Sequence, residues 1–211
     1  MKLLLTSYLL LFTFFSFSQE TPNKLLITFQ KYITGNFDNS EQVVAEIKAG
    51  KQIHPLSIHV NRLANNKIKN LPAYFGGFFI IEESYYLAEG KPIDIKPYFF
   101  LFQAKSKNEV QLTVYQLPEG IKKEEFRNDN QTLVIDYNTL KPSLTFKGAV
   151  YTWNKKSKTF STNASNELGN GMKFTLIETL TANQLSVLEL LEKDGKRLTV
   201  YDTPIIYRRK K

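Results

Sequence analysis

The stretch from Pro72 to Gln103, PAYFGGFFIIEESYYLAEGKPIDIKPYFFLFQ, constrains this chain more than any other. It holds two apolar, aromatic runs, Tyr74 to Leu87 and Pro97 to Ala104. The insert between them carries Gly90, Pro92 and Pro97, which neither a helix nor a central strand tolerates. That pattern predicts a long β-hairpin. On its first arm Phe78, Ile80, Glu82, Ser84 and Tyr86 share one face, and Phe79, Ile81, Glu83, Tyr85 and Leu87 share the other. Both faces are mostly apolar, so the strand should be covered on both sides. A carboxylate buried without a partner costs several kcal/mol, so at least one of Glu82 and Glu83 needs a partner or a use. The arm is therefore a candidate wall of a binding cavity. Which glutamate faces inward is open, because a bulge at Gly76-Gly77 would reverse the alternation beyond it.

Around this hairpin the chain reads as mainly β. Asn23 to Ile33 places Leu25, Leu26, Phe29, Tyr32 and Ile33 at helical spacing. Gly35 breaks that helix, and a second one is expected from Asn39 as cap with Gln42 reaching back, Val43, Val44 and Ile47 facing the core, and an end near Gly50. From Ile53 to Val60, Leu56, Ile58 and Val60 alternate with Ser57 and His59. Further strands are expected at Glu109–Gln116, Thr132–Asp136, Leu144–Trp153, Thr159–Thr162, Lys173–Thr179, Leu185–Glu192, Arg197–Tyr201 and Ile205–Arg208, with Asp194-Gly195 a hairpin turn. About ten short strands joined by turns predict an antiparallel barrel or sandwich, here one barrel-like domain with a helical N-terminal lid or plug.

Residues 1–18, with Lys2 before an apolar core and Ser16-Phe17-Ser18 at the end, read as a signal peptide, so the remainder, 19–211, is expected to be exported to the periplasm or medium. There is no cysteine, which excludes a lipoprotein anchor, disulfides and a thiol nucleophile. The net charge of +8 is spread over Lys122-Lys123, Lys155-Lys156-Lys158 and the tail from Arg208, read as solvated turns and a solvated tail. No helix carries a basic stripe for nucleic acid. His54 and His59, the only histidines, fall on opposite faces of one strand, against a shared metal site. There is no Gly-x-Ser-x-Gly elbow and no phosphate loop, and adjacent Glu82 and Glu83 cannot act together as an acid/base pair, so no catalytic residue is assigned.

Gly35 to Gln42, Phe79 to Tyr85, Pro97-Tyr98 and Lys147 to Trp153 with Phe160, in that order, resemble motifs of the CpcT/CpeT family of phycobiliprotein chromophore lyases. Gly35-Asn36-Phe37-Asp38-Asn39-Ser40-Glu41-Gln42 is similar to that family's G-x-F-x-N-x-x-Q opening, Phe79 to Tyr85 to its apolar strand ending in Glu-Gln-x-Tyr, and Pro97-Tyr98 to its Pro-Tyr-Arg. Lys147 to Trp153 with Phe160 resembles its Gly-Cys-x-x-x-Trp strand. The resemblance implies a calycin-like, lipocalin-shaped barrel that binds a bilin (an open-chain tetrapyrrole) and assists its attachment to an acceptor protein. It carries Glu82, Tyr85 and Tyr98 to pocket positions, and the aromatic run adds Tyr86 as a stacking group. Glu82 is then the acceptor for ligand N–H groups. No cofactor beyond this ligand is implied. The alternative, from a different class, is a noncatalytic exported barrel with a filled interior that acts as an interaction module.

Overall fold

A computed structural model describes the backbone of residues 23–88 and 91–210, and the side chains of all of these except 88 and 91–94. The leader expected at 1–18 lies outside the described residues. The elements are α1 (Lys24–Ile33), β1 (Gly35–Asp38), α2 (Ser40–Lys48), β2 (Ser57–Leu63), β3 (Ile68–Lys69), β4 (Gly77–Ala88), β5 (Lys91–Ser106) and β6 (Glu109–Tyr115). They continue with β7 (Ile135–Asp136), β8 (Ala149–Asn154), β9 (Thr159–Gly169), β10 (Met172–Leu180), β11 (Gln184–Lys193), β12 (Lys196–Arg197) and β13 (Ile205–Lys210). Ten of the strands form one antiparallel barrel in the order β10-β9-β8-β6-β5-β4-β2-β1-β13-β11. It is closed by β10 and β11, paired from Met172–Lys193 to Leu180–Leu185. Closure leaves no exposed edge to these strands over the paired length.

The plug is α1. Asn23 caps it, its Oδ1 accepting from the amides of Leu25 and Leu26 at 3.0 and 3.3 Å. Fully buried Phe29 packs against Phe102, Tyr151 and Phe160 with ring centroids 4.8–5.0 Å apart. At the other end of the helix Arg209 donates to the carbonyls of Lys31, Tyr32 and Thr34, groups a helix leaves without internal partners. The strand expected at Ile205–Arg208 thus extends to Lys210 as β13, taking in Arg209 and Lys210, which were expected in a solvated tail, and Arg209 pins it to the plug.

The opening motif behaves differently from expectation. Gly35–Asp38 is a short strand between β2 and β13, where its backbone groups find partners on both sides. Asn39 makes no side-chain cap; it is fully buried, donating to Pro55 O and accepting from Ser57 N at 2.8 Å each. Asp38 instead accepts from Ser40 N, at 3.0 Å. Gln42 reaches not back to its own helix but to β13, donating to Pro204 O and accepting from Ile206 N. Val43 is buried, whereas Val44 and Ile47 are exposed, since α2 lies on the barrel wall and covers it with one narrow stripe.

Beside Gln42, Glu46 accepts from the amides of Ile53 and His54 and lies 2.5 Å from His54 Nδ1. Burial pushes the Glu46 carboxyl up, but the hydrogen bonds from His54 and Ile53 outweigh it and hold the pKa below its ordinary value of 4.5. A depressed carboxyl contributes stability that is present above its unfolded pKa and lost as pH falls through the folded one. The stability difference between the native chain and Glu46→Gln should therefore be constant at neutral pH and shrink below about pH 4.5 in urea melts. A difference independent of pH would remove this account.

β4 and β5 carry core on both faces, as the sequence predicts. Phe78, Ile80 and Phe102 belong to the barrel interior. Phe79, Ile81, Phe99 and Leu101 pack outward under Phe126, Leu133 and Ile135 from the connection between β6 and β8 and under Ala64 and Ile68. Gly76-Gly77 makes no bulge: the β4–β5 register runs unbroken from Gly77–Gln103 to Tyr86–Asp94, and the irregularity falls between Tyr86 and Leu87. Gly77 is needed for close approach instead, since a Cβ there would stand 2.8 Å from Phe102 O. Contrary to the expected insert, β5 includes both Pro92 and Pro97. Its pairing with β6 begins only at Phe99, so from Lys91 to Tyr98 its one named strand neighbour is β4 and a missing N–H leaves no second ladder broken. The strand expected at Thr132–Asp136 shrinks to β7, which pairs in parallel with β3, and that at Arg197–Tyr201 to β12.

Candidate functional site

Above the plug the barrel interior is not filled. A cavity of about 370 Å³ is lined by apolar side chains including Phe100, Phe102, Leu112, Phe146, Phe174 and Leu176, within the range of roughly 300–1,000 Å³ usual for small-molecule sites. Into this apolar chamber project three carboxylates, Glu82 from β4, Glu178 from β10 and Glu189 from β11, with His59 from β2 and the hydroxyl-bearing Tyr98 and Tyr151. Their positions follow from one repeated local pattern. Phe78-Ile80-Glu82, Phe174-Leu176-Glu178 and Leu185-Val187-Glu189 each run apolar, apolar, carboxylate at every second residue. Alternation brings all three acids to the inside face.

The unbroken register settles the two glutamates of the hairpin. Glu82 faces the cavity, with His59 Nδ1 at 3.3 Å from its Oε1, while His59 Nε2 lies 3.4 Å from Ser84 Oγ. The His59 Nδ1 contact is within ion-pair distance but off hydrogen-bond alignment, leaving that buried nitrogen without a hydrogen-bond partner. Glu83 faces outward and is buried under the β6–β8 connection. There it accepts from Asn128 N at 2.7 Å and from Arg127 Nη2 at 3.3 Å, with Arg127 Nε 3.1 Å away as an ion pair, and Tyr85 donates to it. Burial, and then the Glu83 carboxylate, push the Tyr85 hydroxyl up to about 12, so it stays a donor.

Tyr85 is therefore not a cavity residue. The resemblance carries it to a pocket position, but strand alternation puts it with Glu83 on the outer face, where Arg127 also donates to its hydroxyl. Tyr98 lines the cavity and, 39 % exposed, stacks on Phe100 with centroids 5.7 Å apart. Tyr86 shares the inward face of β4; burial, and then Glu189, push its hydroxyl up to about 12, while Lys96 Nζ sits 5.3 Å from its ring centroid. Of the four residues expected to bind ligand, the structure brings Glu82, Tyr86 and Tyr98 to the interior side and separates Tyr85 from them.

Glu178 is the most deeply set acid of the chamber. Its Oε2 accepts from Tyr151 at 3.0 Å, and its Oε1, also buried, has no partner. Burial, and then Glu82, push its carboxyl up to about 8, against the hydrogen bond from Tyr151. Glu189 keeps surface open to the cavity although protein surrounds it, and burial raises its carboxyl too, with His59 pulling the other way. Glu178, Glu189, Tyr151 and His59 were not singled out as site residues from the sequence. The apolar-x-apolar-x-Glu pattern on three strands is the signal that could have found the acids.

No known family model matches the chain, and comparison with curated proteins and with solved structures returns no match. The site thus rests on its own geometry. Among the described residues no group of three metal-ligating side chains converges in a metal-binding arrangement, with His54 held outside the barrel by Glu46 and Gln42 and His59 inside it. No helix among them is long and apolar enough to cross a membrane.

Proposed function

We propose that this chain is a ligand-binding barrel whose cavity takes an amphipathic, mostly apolar molecule that presents N–H groups to Glu82. The observation that carries the reading is an aromatic chamber holding carboxylates poor in donors: Glu82 meets His59 off hydrogen-bond alignment, and the buried Glu178 Oε1 has no hydrogen-bond partner. Buried acceptors left unmade cost more than the hydrogen bonds they could form, so a ligand that donates to them is strongly favoured. A bilin, or another flat conjugated molecule with a row of N–H groups, matches that chemistry, and the CpcT/CpeT resemblance points to the same class. A ligand of that size would fill the 370 Å³ chamber and extend past Tyr98, leaving its far end at the surface.

On this reading the barrel belongs to an exported protein, and any lyase role consists of holding a reactive ligand in one conformation while a thiol of an acceptor protein attacks, because the chain has no cysteine. The open chamber speaks against the alternative of an interaction module with a filled interior. Titrating the purified protein with biliverdin or phycocyanobilin should shift the visible absorbance at micromolar concentrations. Glu82→Gln should weaken binding by roughly tenfold or more, the worth of a hydrogen bond to a charged acceptor. No spectral change, or equal binding by the variant, would sink the proposal.

A further inference from the structure

The chamber's charge is one-sided in a way that N–H recognition by Glu82 alone does not require. Glu178 is surrounded by Glu82 on β4 and Glu189 on β11, with the Tyr151 hydroxyl on β8 and His59 on β2. Lys96 on β5 is exposed and sits over the Tyr86 ring. Directly across the β9–β10 ladder from Glu178 stands Thr162, inward and buried, and its Oγ1 also lacks a partner. The unpartnered Glu178 Oε1, set with Glu82 and Glu189 in the lining of an apolar chamber, makes a socket for a donor group that carries a positive charge.

We propose that the barrel is built for cationic ligands: a basic nitrogen on an aromatic or aliphatic body docks against Glu178 and Glu82, and its arrival expels a proton from Glu178. This rests on the reading of the chamber as a ligand site, and adds the charge of the ligand and the proton it displaces. The sign follows from the empty state. In the empty chamber burial, and then Glu82, push the Glu178 carboxyl up to about 8, against the hydrogen bond from Tyr151. A bound ammonium reverses that preference, since opposite charge at contact favours the ionised acid. Binding therefore releases a proton wherever the empty site is protonated, and affinity climbs with pH until the empty site has lost its proton unaided. For a ligand that stays charged throughout, with one proton released, the gain between pH 6 and pH 8 is roughly 50-fold.

The test uses naphthylmethylamine, naphthylmethanol and naphthoate, three bodies of one shape carrying a positive, a neutral and a negative head. Calorimetric titration at pH 7 in phosphate and in Tris, whose ionisation heats differ, counts the protons exchanged. The amine should bind at least tenfold more tightly than the alcohol, the acid not measurably, and about one proton should leave per amine bound. Glu178→Gln, which keeps an acceptor for Tyr151, should abolish the proton release and flatten the pH dependence. If the alcohol and acid bind as well as the amine, or the amine binds with no proton exchanged, the cationic inference is overturned while the ligand chamber stands. If none of the three binds to folded protein, both fall together.

Discussion

Arg127→Ala is expected to cost about 3–5 kcal/mol of stability, the usual penalty for leaving one member of a buried ion pair alone. Glu83 is only 3 % exposed and cannot recover its lost partner from water. Its remaining bonds, from Asn128 N and Tyr85, would hold a full negative charge in an apolar layer made by Phe79, Ile81, Phe99 and Phe126. The consequence should be local as well as global. Arg127 belongs to the connection between β6 and β8, and without it the segment around Phe126 loses its electrostatic anchor to β4. Urea denaturation measures the global loss, and amide exchange should show protection falling first at Asn128 and Leu133. Glu83→Gln with Arg127→Ala should recover much of the loss, because the orphaned charge is gone. A loss below about 1 kcal/mol for Arg127→Ala alone would show that water reaches this pair and that it behaves like a surface salt bridge.

Phe29→Ala should be comparably severe, again about 3–5 kcal/mol, the range for truncating a buried aromatic. Phe29 is the single α1 residue that touches rings from β4, β5, β8 and β9 at once, through Phe78, Phe102, Tyr151 and Phe160. Its loss opens a void between the plug and the chamber floor, whose lining includes Phe102 and Tyr151. Two results distinguish this from an ordinary core mutation. Ligand affinity should change, because the void adjoins the chamber, and α1 should become the first segment to exchange its amides. A Phe29→Leu variant should recover more than half the stability, since it refills much of the volume. Equal exchange rates for α1 in all three proteins would mean that Arg209, not Phe29, holds the plug.

Most of the architecture could be read from local patterns. Alternation along Phe78 to Leu87 assigned two buried faces and grouped Tyr85 with Glu83, both confirmed. Turn chemistry worked where both turn residues favour positive φ, as at Asp194-Gly195, with φ of 50° and 74°. The misreadings came where long-range partners outweigh local preference. Asn39 and Gln42 have the spacing of a helix cap, yet β2 and β13 offer them buried backbone groups that need partners more. The basic C-terminal run looks solvated by composition, but Ile205, Tyr207 and Arg209 share the inward face, Arg209 reaching the plug, while Arg208 and Lys210 point outward, so one strand carries both core and charge. The carboxylate cluster was half legible. Each strand shows its glutamate after two inward apolar residues, but that three such strands meet in one chamber depends on the long-range pairing of β1 with β13, which no local signal encodes.

The open half of β5 has a consequence beyond accommodating its prolines. From Lys91 to Lys96 the described ladder of that strand is with β4, and a β edge open on its other side invites the same edge of another molecule to add to it. Pro92 and Pro97 deny such an incoming strand two of the amide donors a continuous ladder would need, and Lys96 sets like charges against one another between approaching copies. The residues that first look like interruptions of the hairpin thus serve as its guard against sheet-to-sheet growth. They let a chain rich in phenylalanine and tyrosine present a strand edge in solution without seeding fibres.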